Sequence, residues 1–171
     1  MIFTTEEINA ISGKLNLDGA MLNMTLSGIE DFIRGYTNNS FTVRGITIYT
    51  PSKNGKLDKV SPIFKVGDTI QIKDPACNAG IYVIQDLDGT LDKELFDVNS
   101  NKISLVKYPP AIKSGVMKLL QYSVKMDNKM GISSESLSRH SVSYAQPTSD
   151  SIGGYPAYLM TFLEPFMKAR F

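Results

Sequence analysis

The chain has 171 residues, of which 42% are hydrophobic and 20% charged, a composition typical of a folded protein with one domain or two small ones. Eighteen Lys and Arg against seventeen Asp and Glu leave a formal net charge of +1, so the overall charge favours neither nucleic acid nor an anionic membrane as a partner. The single cysteine, Cys77, excludes an internal disulfide and a multi-thiolate metal site. No stretch approaches the roughly 18 apolar residues of a membrane span, and the acidic start is unlike a signal peptide, so we expect a protein made in the cytoplasm.

Two helices are predicted at the start of the chain. Thr4 and Glu7 have the spacing of a capping box, which predicts a short helix from about Thr5 to about Gly13. Asp18 suits the N-cap of a longer second helix that stops near residues 35–40. The apolar residues of this second helix recur at spacings of three and four on one face: Leu22, Leu26, Ile29, Ile33 and Tyr36.

Residues 41–108 are rich in β-branched and aromatic residues separated by Gly, Pro, Asn and Asp, which indicates short strands joined by turns. Five strands are predicted, in the stretches FTVRGITIYT, DTIQIKD, GIYVIQD, ELFDV and KISLVKY. We expect a small β-barrel or curled antiparallel sheet that forms an inserted domain. Its nine basic and eight acidic residues do not make a basic module, and Phe64, Tyr82 and Phe96 are expected in its core.

Helical periodicity returns at Pro110 and predicts a third helix that ends at Gly131, with its apolar stripe at Ile112, Val116, Leu119, Leu120 and Val124. A serine-rich extended segment follows. The final stretch, YPAYLMTFLEPFMKARF, is again helical, with a break expected near residues 161–164 because of Pro165. The predicted fold class is therefore α+β: a bundle of about four helices, residues 1–40 and 109–171, with an inserted β domain at residues 41–108.

No catalytic, metal or cofactor site is predicted. His140 is the chain's single histidine and stands beside Ser141, but no GxSxG motif accompanies the pair, so a surface or interface histidine is favoured over a nucleophile and base. The aspartates of DLDGTLD, Asp86, Asp88 and Asp92, fit a hairpin turn better than a calcium loop. Two further groups are expected to pack in the interior as inert filler: Cys77, and Met21, Met24, Met117 and Met126.

A lysine-rich third helix, the stretch KMGISSESLSRHSVSY and a downstream GGYPAYLMTFLEPFMKARF together resemble the head-tail connector (adaptor, head-completion) proteins of tailed bacteriophages and prophages. In that family a helix ends at Gly-Ile, a Ser-Glu-Ser segment follows, and a Ser-Val-Ser-Tyr strand precedes a final helix with a basic end. The resemblance covers residues 1–40 and 109–171. The insertion at residues 41–108 departs from the simplest helical members.

The resemblance implies a structural protein, not an enzyme, that forms a ring, usually dodecameric, below the phage portal. Such a ring extends the DNA channel and provides the platform for neck and tail attachment. The implied partners are the portal protein, neighbouring copies of the chain and a downstream neck or tail-completion protein, with DNA passing through without sequence recognition and no membrane involved. The implied location is the virion neck, after synthesis in the host cytoplasm. A small nucleic-acid-binding or enzymatic accessory protein that uses the β domain remains the alternative.

Two groups of residues are candidates for these contacts. Strand addition between neighbouring copies is expected in the serine-rich segment, at Ser133, Ser134, Glu135, Ser136, Arg139, His140, Val142 and Tyr144. Portal docking is expected in the C-terminal segment, at Tyr155, Tyr158, Phe162, Phe166, Lys168, Arg170 and Phe171. Because Gly153-Gly154 frees this segment and Pro165 weakens it as an isolated helix, we expect it to dock on a partner rather than pack in the subunit's own core. The alternative is that its apolar face packs on the second and third helices.

Overall fold

This computed structural model describes residues 1–127, 134–137, 140–143 and 151–169, with side chains for residues 1–126 and 151–169. It combines four helices with a five-stranded, curled antiparallel sheet, which confirms the predicted α+β fold class. Within the described residues, no helix is both long and apolar enough to cross a bilayer.

The first two helices begin where their capping residues predict. In helix α1, Thr5–Leu15, the Thr4 hydroxyl accepts the Glu7 backbone N–H while the Glu7 carboxylate accepts the Thr4 N–H, so the capping box is confirmed. Helix α2, Gly19–Thr37, begins after Asp18, whose carboxylate accepts two backbone N–H groups of the first turn.

The third helix and the C-terminal segment complete the helical body. Helix α3 spans Pro110–Asp127, and the expected stop at Gly131 lies outside the described residues. Helix α4 is short, Ala157–Met160, and continues as a 3₁₀ helix over Thr161–Phe166. The predicted break is confirmed, and its cause is Pro165, which lacks an N–H and would crowd the carbonyl of Thr161 in an α-helix.

Strands β1 to β5 form one antiparallel sheet in the order β2-β1-β5-β3-β4. Their bounds are β1 Thr42–Lys53, β2 Lys56–Leu57, β3 Thr69–Asp74, β4 Gly80–Val83 and β5 Val98–Val106. The turn between β1 and β2 is a tight hairpin at Asn54-Gly55, where both residues have positive φ, as Asn-Gly pairs favour. The predicted strand ELFDV is wrong, because residues 94–97 lie outside the strands and β5 begins only at Val98.

Two hydrophobic clusters fill the interior. The helical cluster comprises Ile2, Phe3, Ile8, Ile11, Leu22, Leu26, Ile29, Ile33, Phe41, Val106, Tyr108, Ile112, Val116, Leu119, Leu120, Met160 and Leu163. The sheet cluster comprises Leu57, Phe64, Ile70, Ile72, Tyr82, Ile84, Leu91, Leu95 and Ile103. The predicted boundaries assign Phe41, Val106 and Tyr108 to the inserted domain, whereas their side chains pack in the helical cluster.

Three expectations about interior residues are wrong. Phe96 was expected in the sheet core, but its side chain is 67% exposed. Met21 and Met24 are exposed on α2, because they lie beside the buried stripe rather than on it. Cys77 is exposed in a short 3₁₀ helix, Ala76–Asn78.

Two small antiparallel pairs lie between α3 and α4. Strands β6, Ser134–Leu137, and β7, His140–Ser143, pair with Leu137 opposite His140. Strands β8, Ser151–Ile152, and β9, Tyr155–Pro156, pair around Gly153-Gly154. The serine-rich segment is therefore extended, as predicted, where the structure describes it.

One ion pair joins α1 to α3 and is expected to make stability depend on pH. The Lys113 ammonium lies 2.7 Å from a Glu7 carboxylate oxygen, and its hydrogen bond is the largest cause that lowers the pKa of Glu7. A lowered folded-state pKa contributes stability above the unfolded-state pKa, and this contribution is lost as the pH falls through the folded-state pKa. Replacing Lys113 by methionine should therefore destabilise the protein at neutral pH, with the difference from wild type shrinking in acid.

Urea unfolding followed at a series of pH values measures this difference. The matched control is Lys118→Met on the exposed side of the same helix, which should show no such pH dependence. A Lys113 effect of the same size at neutral and acid pH would contradict the assigned role of the ion pair.

Gly115 on α3 allows close contact with the C-terminal segment. A Cβ added there would overlap the Phe162 ring, whereas a Cβ on Gly28, on the exposed face of α2, would meet nothing within 4 Å. Gly115→Ala should therefore cost about 1–3 kcal/mol, since Phe162 must leave its site. Gly28→Ala should stabilise by about 0.5–1 kcal/mol through helix propensity. Urea unfolding of both variants checks the pair, and a neutral or stabilising Gly115→Ala would contradict the packing.

Candidate functional site

The C-terminal segment packs in the subunit's own core, so the expectation that it docks on a partner instead is wrong. Met160 and Leu163 are fully buried in the helical cluster, and Tyr155, Phe162 and Phe166 pack against it half-buried. The segment contacts both α2 and α3. The physical reason is that its wide apolar face matches the surface left open between those helices, and covering that surface within one chain needs no partner.

Three hydrogen bonds then hold the end of this segment against the C-terminal end of α2. The Lys168 N–H donates to the Thr37 carbonyl at 2.8 Å. The side-chain amides of Asn38 and Asn39 donate to the carbonyls of Ala169 and Phe166 at 2.8 Å and 3.0 Å. The last carbonyls of a helix have no partner within the helix, so the segment supplies a donor that α2 lacks.

A cleft of about 380 Å³ opens beside this contact, where the helical body meets the sheet. Three stretches distant in sequence line this junction cleft: residues 39 and 41–43, which lead into β1; residues 107–110, which follow β5; and residues 166 and 168 of the C-terminal segment. Clefts between structural units, apolar with a few polar groups, are common places for ligands and partners to bind. The junction cleft is therefore the candidate site.

Aromatic rings form the apolar part of the junction cleft. The Phe41 ring lies 4.8 Å from the Tyr108 ring and 6.1 Å from the Phe166 ring, centroid to centroid. The Tyr108 hydroxyl donates to the buried Glu30 carboxylate at 2.8 Å. Burial, with the negative charge of Glu30 adding to it, raises the pKa of Tyr108, so this hydroxyl stays protonated and the ring is fixed in place.

The backbone at Phe41 is also unusual. Its φ of 52° lies in the left-handed region, which costs a residue other than glycine on the order of 1 kcal/mol. The Phe41 N–H donates to the Asn39 side-chain oxygen at 3.0 Å, and the Phe41 carbonyl accepts the Lys107 N–H at 3.0 Å. These two bonds hold the Phe41 ring towards the cleft in a conformation that an isolated chain would avoid.

The rim of the junction cleft is positively charged. Lys107 and Lys168 are exposed there, and no carboxylate lines the cleft. None of the ion pairs among the described residues involves either ammonium group. The site thus combines an aromatic floor with two available cations, which suits a ligand that carries an apolar group beside a carboxylate or another anion.

The predicted docking residues do not form one surface. Phe166 and Lys168 meet at the junction cleft, whereas Tyr158 and Phe162 line a separate groove against Gly115 on α3. Tyr155 lies elsewhere, with its hydroxyl 3.1 Å from that of Ser123. Arg170 and Phe171 lie outside the described residues. Sequence reasoning missed Phe41 and Lys107, which reach the site from positions far away in the chain.

The predicted inter-subunit residues lie on the β6–β7 pair where they are described. Ser134, Glu135 and Ser136 belong to β6, and His140 and Val142 to β7. Ser133, Arg139 and Tyr144 lie outside the described residues. No third strand from the described part of the chain joins this pair.

A second exposed feature lies at the far end of the sheet. Asn78 and Asn101 are buried and hydrogen-bonded to each other at 2.9 Å, and both also contact the Ser52 hydroxyl. The Phe96 backbone is tied to this asparagine network through its N–H, which donates to the Asn78 side-chain oxygen, and its carbonyl, which accepts from Asn78 and Ser52. The network fixes the Phe96 backbone while the Phe96 ring stays exposed.

Among the described residues, no group of three or more His, Cys, Asp and Glu side chains is placed to hold a metal ion. Comparison of the chain with protein-family models and with curated proteins finds no match.

Proposed function

We propose that the chain is the subunit of a ring-shaped head-tail adaptor of a tailed bacteriophage or prophage. In this role it docks below the portal, extends the DNA channel and offers a platform to the next neck or tail component. The sequence features that carry the resemblance, from the end of α3 to the C-terminus, support the proposal. So does a fold in which a packed helical body and a β unit leave an extended pair of strands between α3 and α4.

The observation that carries the proposal is the β6–β7 pair, which no other strand of the described residues joins. An isolated pair of strands is marginally stable in water, and its unpaired N–H and C=O groups favour addition of another strand. Each subunit would then contribute one edge to a neighbour on one side and receive an edge from the other side. Such a contact uses different surfaces on the two partners, and it closes into a ring when the rotation between subunits allows it.

Co-purification with the portal protein of the same genome tests the function. The two proteins are co-expressed, the portal carries an affinity tag, and the complex is washed after nuclease treatment. We expect the chain to elute with the portal after nucleic acid has been removed. An accessory protein that acts on nucleic acid would instead be lost from the portal and retained on immobilised DNA, which would overturn the proposal.

A further inference from the structure

Phe96 has the properties of an interface residue whose backbone is pre-organised before binding. Its side chain is 67% exposed, although its backbone is fixed by an N–H that donates to Asn78 at 2.8 Å and a carbonyl that accepts from Asn78 at 3.0 Å and Ser52 at 2.6 Å. A residue whose backbone is already fixed loses less conformational entropy on binding, and buried aromatics contribute strongly to interface energy. The structure thus presents an aromatic ring that the described residues leave mostly uncovered.

Acidic residues flank Phe96 in the sequence. Glu94 and Asp97 are exposed on either side of Leu95 and Phe96, and no ion pair among the described residues involves either carboxylate. We call the exposed group of Glu94, Phe96 and Asp97 the acidic knob. An exposed aromatic residue with neighbouring acidic residues is complementary to the junction cleft, which has an aromatic floor, two ammonium groups outside the ion pairs and room for a side chain in its volume of about 380 Å³.

The acidic knob and the junction cleft of one subunit cannot meet each other. The knob is bound to Ser52 near the end of β1, whereas Thr42 and Val43 at the start of β1 line the cleft. Ser52 pairs with Val98 and Thr42 with Val106, eight steps along β5, and a rise of about 3.3 Å per step separates the two features by on the order of 25 Å. Because these two complementary surfaces lie at opposite ends of one strand, they can join only between two copies of the chain, arranged head to tail.

We propose that the acidic knob of one copy inserts Phe96 into the junction cleft of its neighbour, with the knob carboxylates facing Lys107 and Lys168. The inference rests on the ring-forming function proposed above and names a contact that joins adjacent subunits. Each subunit carries both halves of the contact, so a repeated head-to-tail arrangement uses every knob and every cleft when the ring closes.

The test measures assembly of the full chain by native mass spectrometry, alone across a concentration series and bound to its portal. Phe96→Ala should weaken association of neighbouring copies by about 30-fold or more, the size typical of an interface hot spot. Asp97→Lys and Lys107→Glu should each weaken it by about tenfold. The double variant carrying both reversals should recover to within about threefold of wild type, because the opposite charges face each other again.

Matched controls separate this contact from general surface effects. Tyr49 is as exposed as Phe96, at 67%, and lies on β1 without flanking acids, so Tyr49→Ala should leave assembly unchanged. Lys73→Glu reverses an exposed charge outside the junction cleft and serves as the control for Lys107. Thermal unfolding confirms that each variant is folded.

The two proposals fail in different ways. If wild type forms a ring and the Phe96, Asp97 and Lys107 variants form it equally well, the knob-in-cleft contact is overturned while the adaptor function stands. If the single reversals weaken assembly and the double variant does not recover, the carboxylate and ammonium do not face each other, which also overturns the contact. If wild type forms no ring either alone or on the portal, the adaptor function fails and the contact fails with it.

Discussion

Replacing Asn101 by alanine should destabilise the protein by about 3 kcal/mol, a very large effect for a single polar side chain. Asn101 is completely buried, and its amide donates to the Thr50 carbonyl at 3.2 Å and the Ser52 hydroxyl at 3.0 Å while its oxygen accepts from Asn78. Alanine would leave several buried polar groups without a partner, and each such group costs about 1–3 kcal/mol. The network also holds the Phe96 backbone, so the variant should lose knob-dependent assembly as well.

Urea unfolding followed by circular dichroism measures the change. Asn99 lies two residues earlier on the same strand and is exposed, so Asn99→Ala is the matched control and should change stability by less than about 0.5 kcal/mol. Equal effects of the two substitutions would contradict the assignment of the buried network as a structural element of the sheet.

Removing the C-terminal segment, residues 155–171, should collapse the melting temperature rather than leave it unchanged. Met160 and Leu163 are buried at 1% and 0% exposure, and Phe162 and Phe166 pack beside them, so the deletion uncovers one side of the helical core. The single substitution Leu163→Ala should already cost about 3 kcal/mol through lost burial and the cavity that it leaves.

Tyr158→Ala is the control, because that side chain belongs to the same segment but is 70% exposed. It should change the free energy of unfolding by less than about 0.5 kcal/mol. A deletion variant with the wild-type melting temperature would show that the segment is a separate docking element, as the sequence alone suggested.

The parts of the fold that sequence predicts well are those fixed by neighbouring residues. The capping box of Thr4 and Glu7, the cap at Asp18 and the break before Pro165 depend on contacts within one helical turn, and each is found where it is expected. The prediction of an apolar stripe on α2 is likewise confirmed. Local rules of this kind need no knowledge of the rest of the chain.

The parts that sequence does not predict depend on contacts between distant residues. An apolar stripe shows that a face is covered but not by what, so the burial of Leu163 against α2 and α3 could not be distinguished from docking on a partner. Local sequence predicts that Asn78 is a turn residue. Its role in the buried network depends on Ser52 and Asn101, which approach it only in the folded chain. Phe96 is predicted to lie in the core because the stretch around it resembles a strand.

The candidate site likewise combines residues that the sequence predicts with residues that it does not. Phe166 and Lys168 were expected to make contacts with a partner because they belong to an apolar and basic C-terminal stretch, and they do lie at the junction cleft. Phe41 and Lys107 carry no local signal of function. They reach the cleft because β1 and β5 pair, which brings the two connections between the body and the sheet together.

The mass of the complex with the portal tests the central claim most directly. The chain is co-expressed with the portal protein of its own genome, and the purified assembly is weighed by native mass spectrometry and compared with the portal alone. We expect the mass to increase by a fixed multiple of the 18.9 kDa subunit, with a dodecameric ring as the expected multiple. A portal of unchanged mass beside a chain that remains monomeric would contradict the adaptor function.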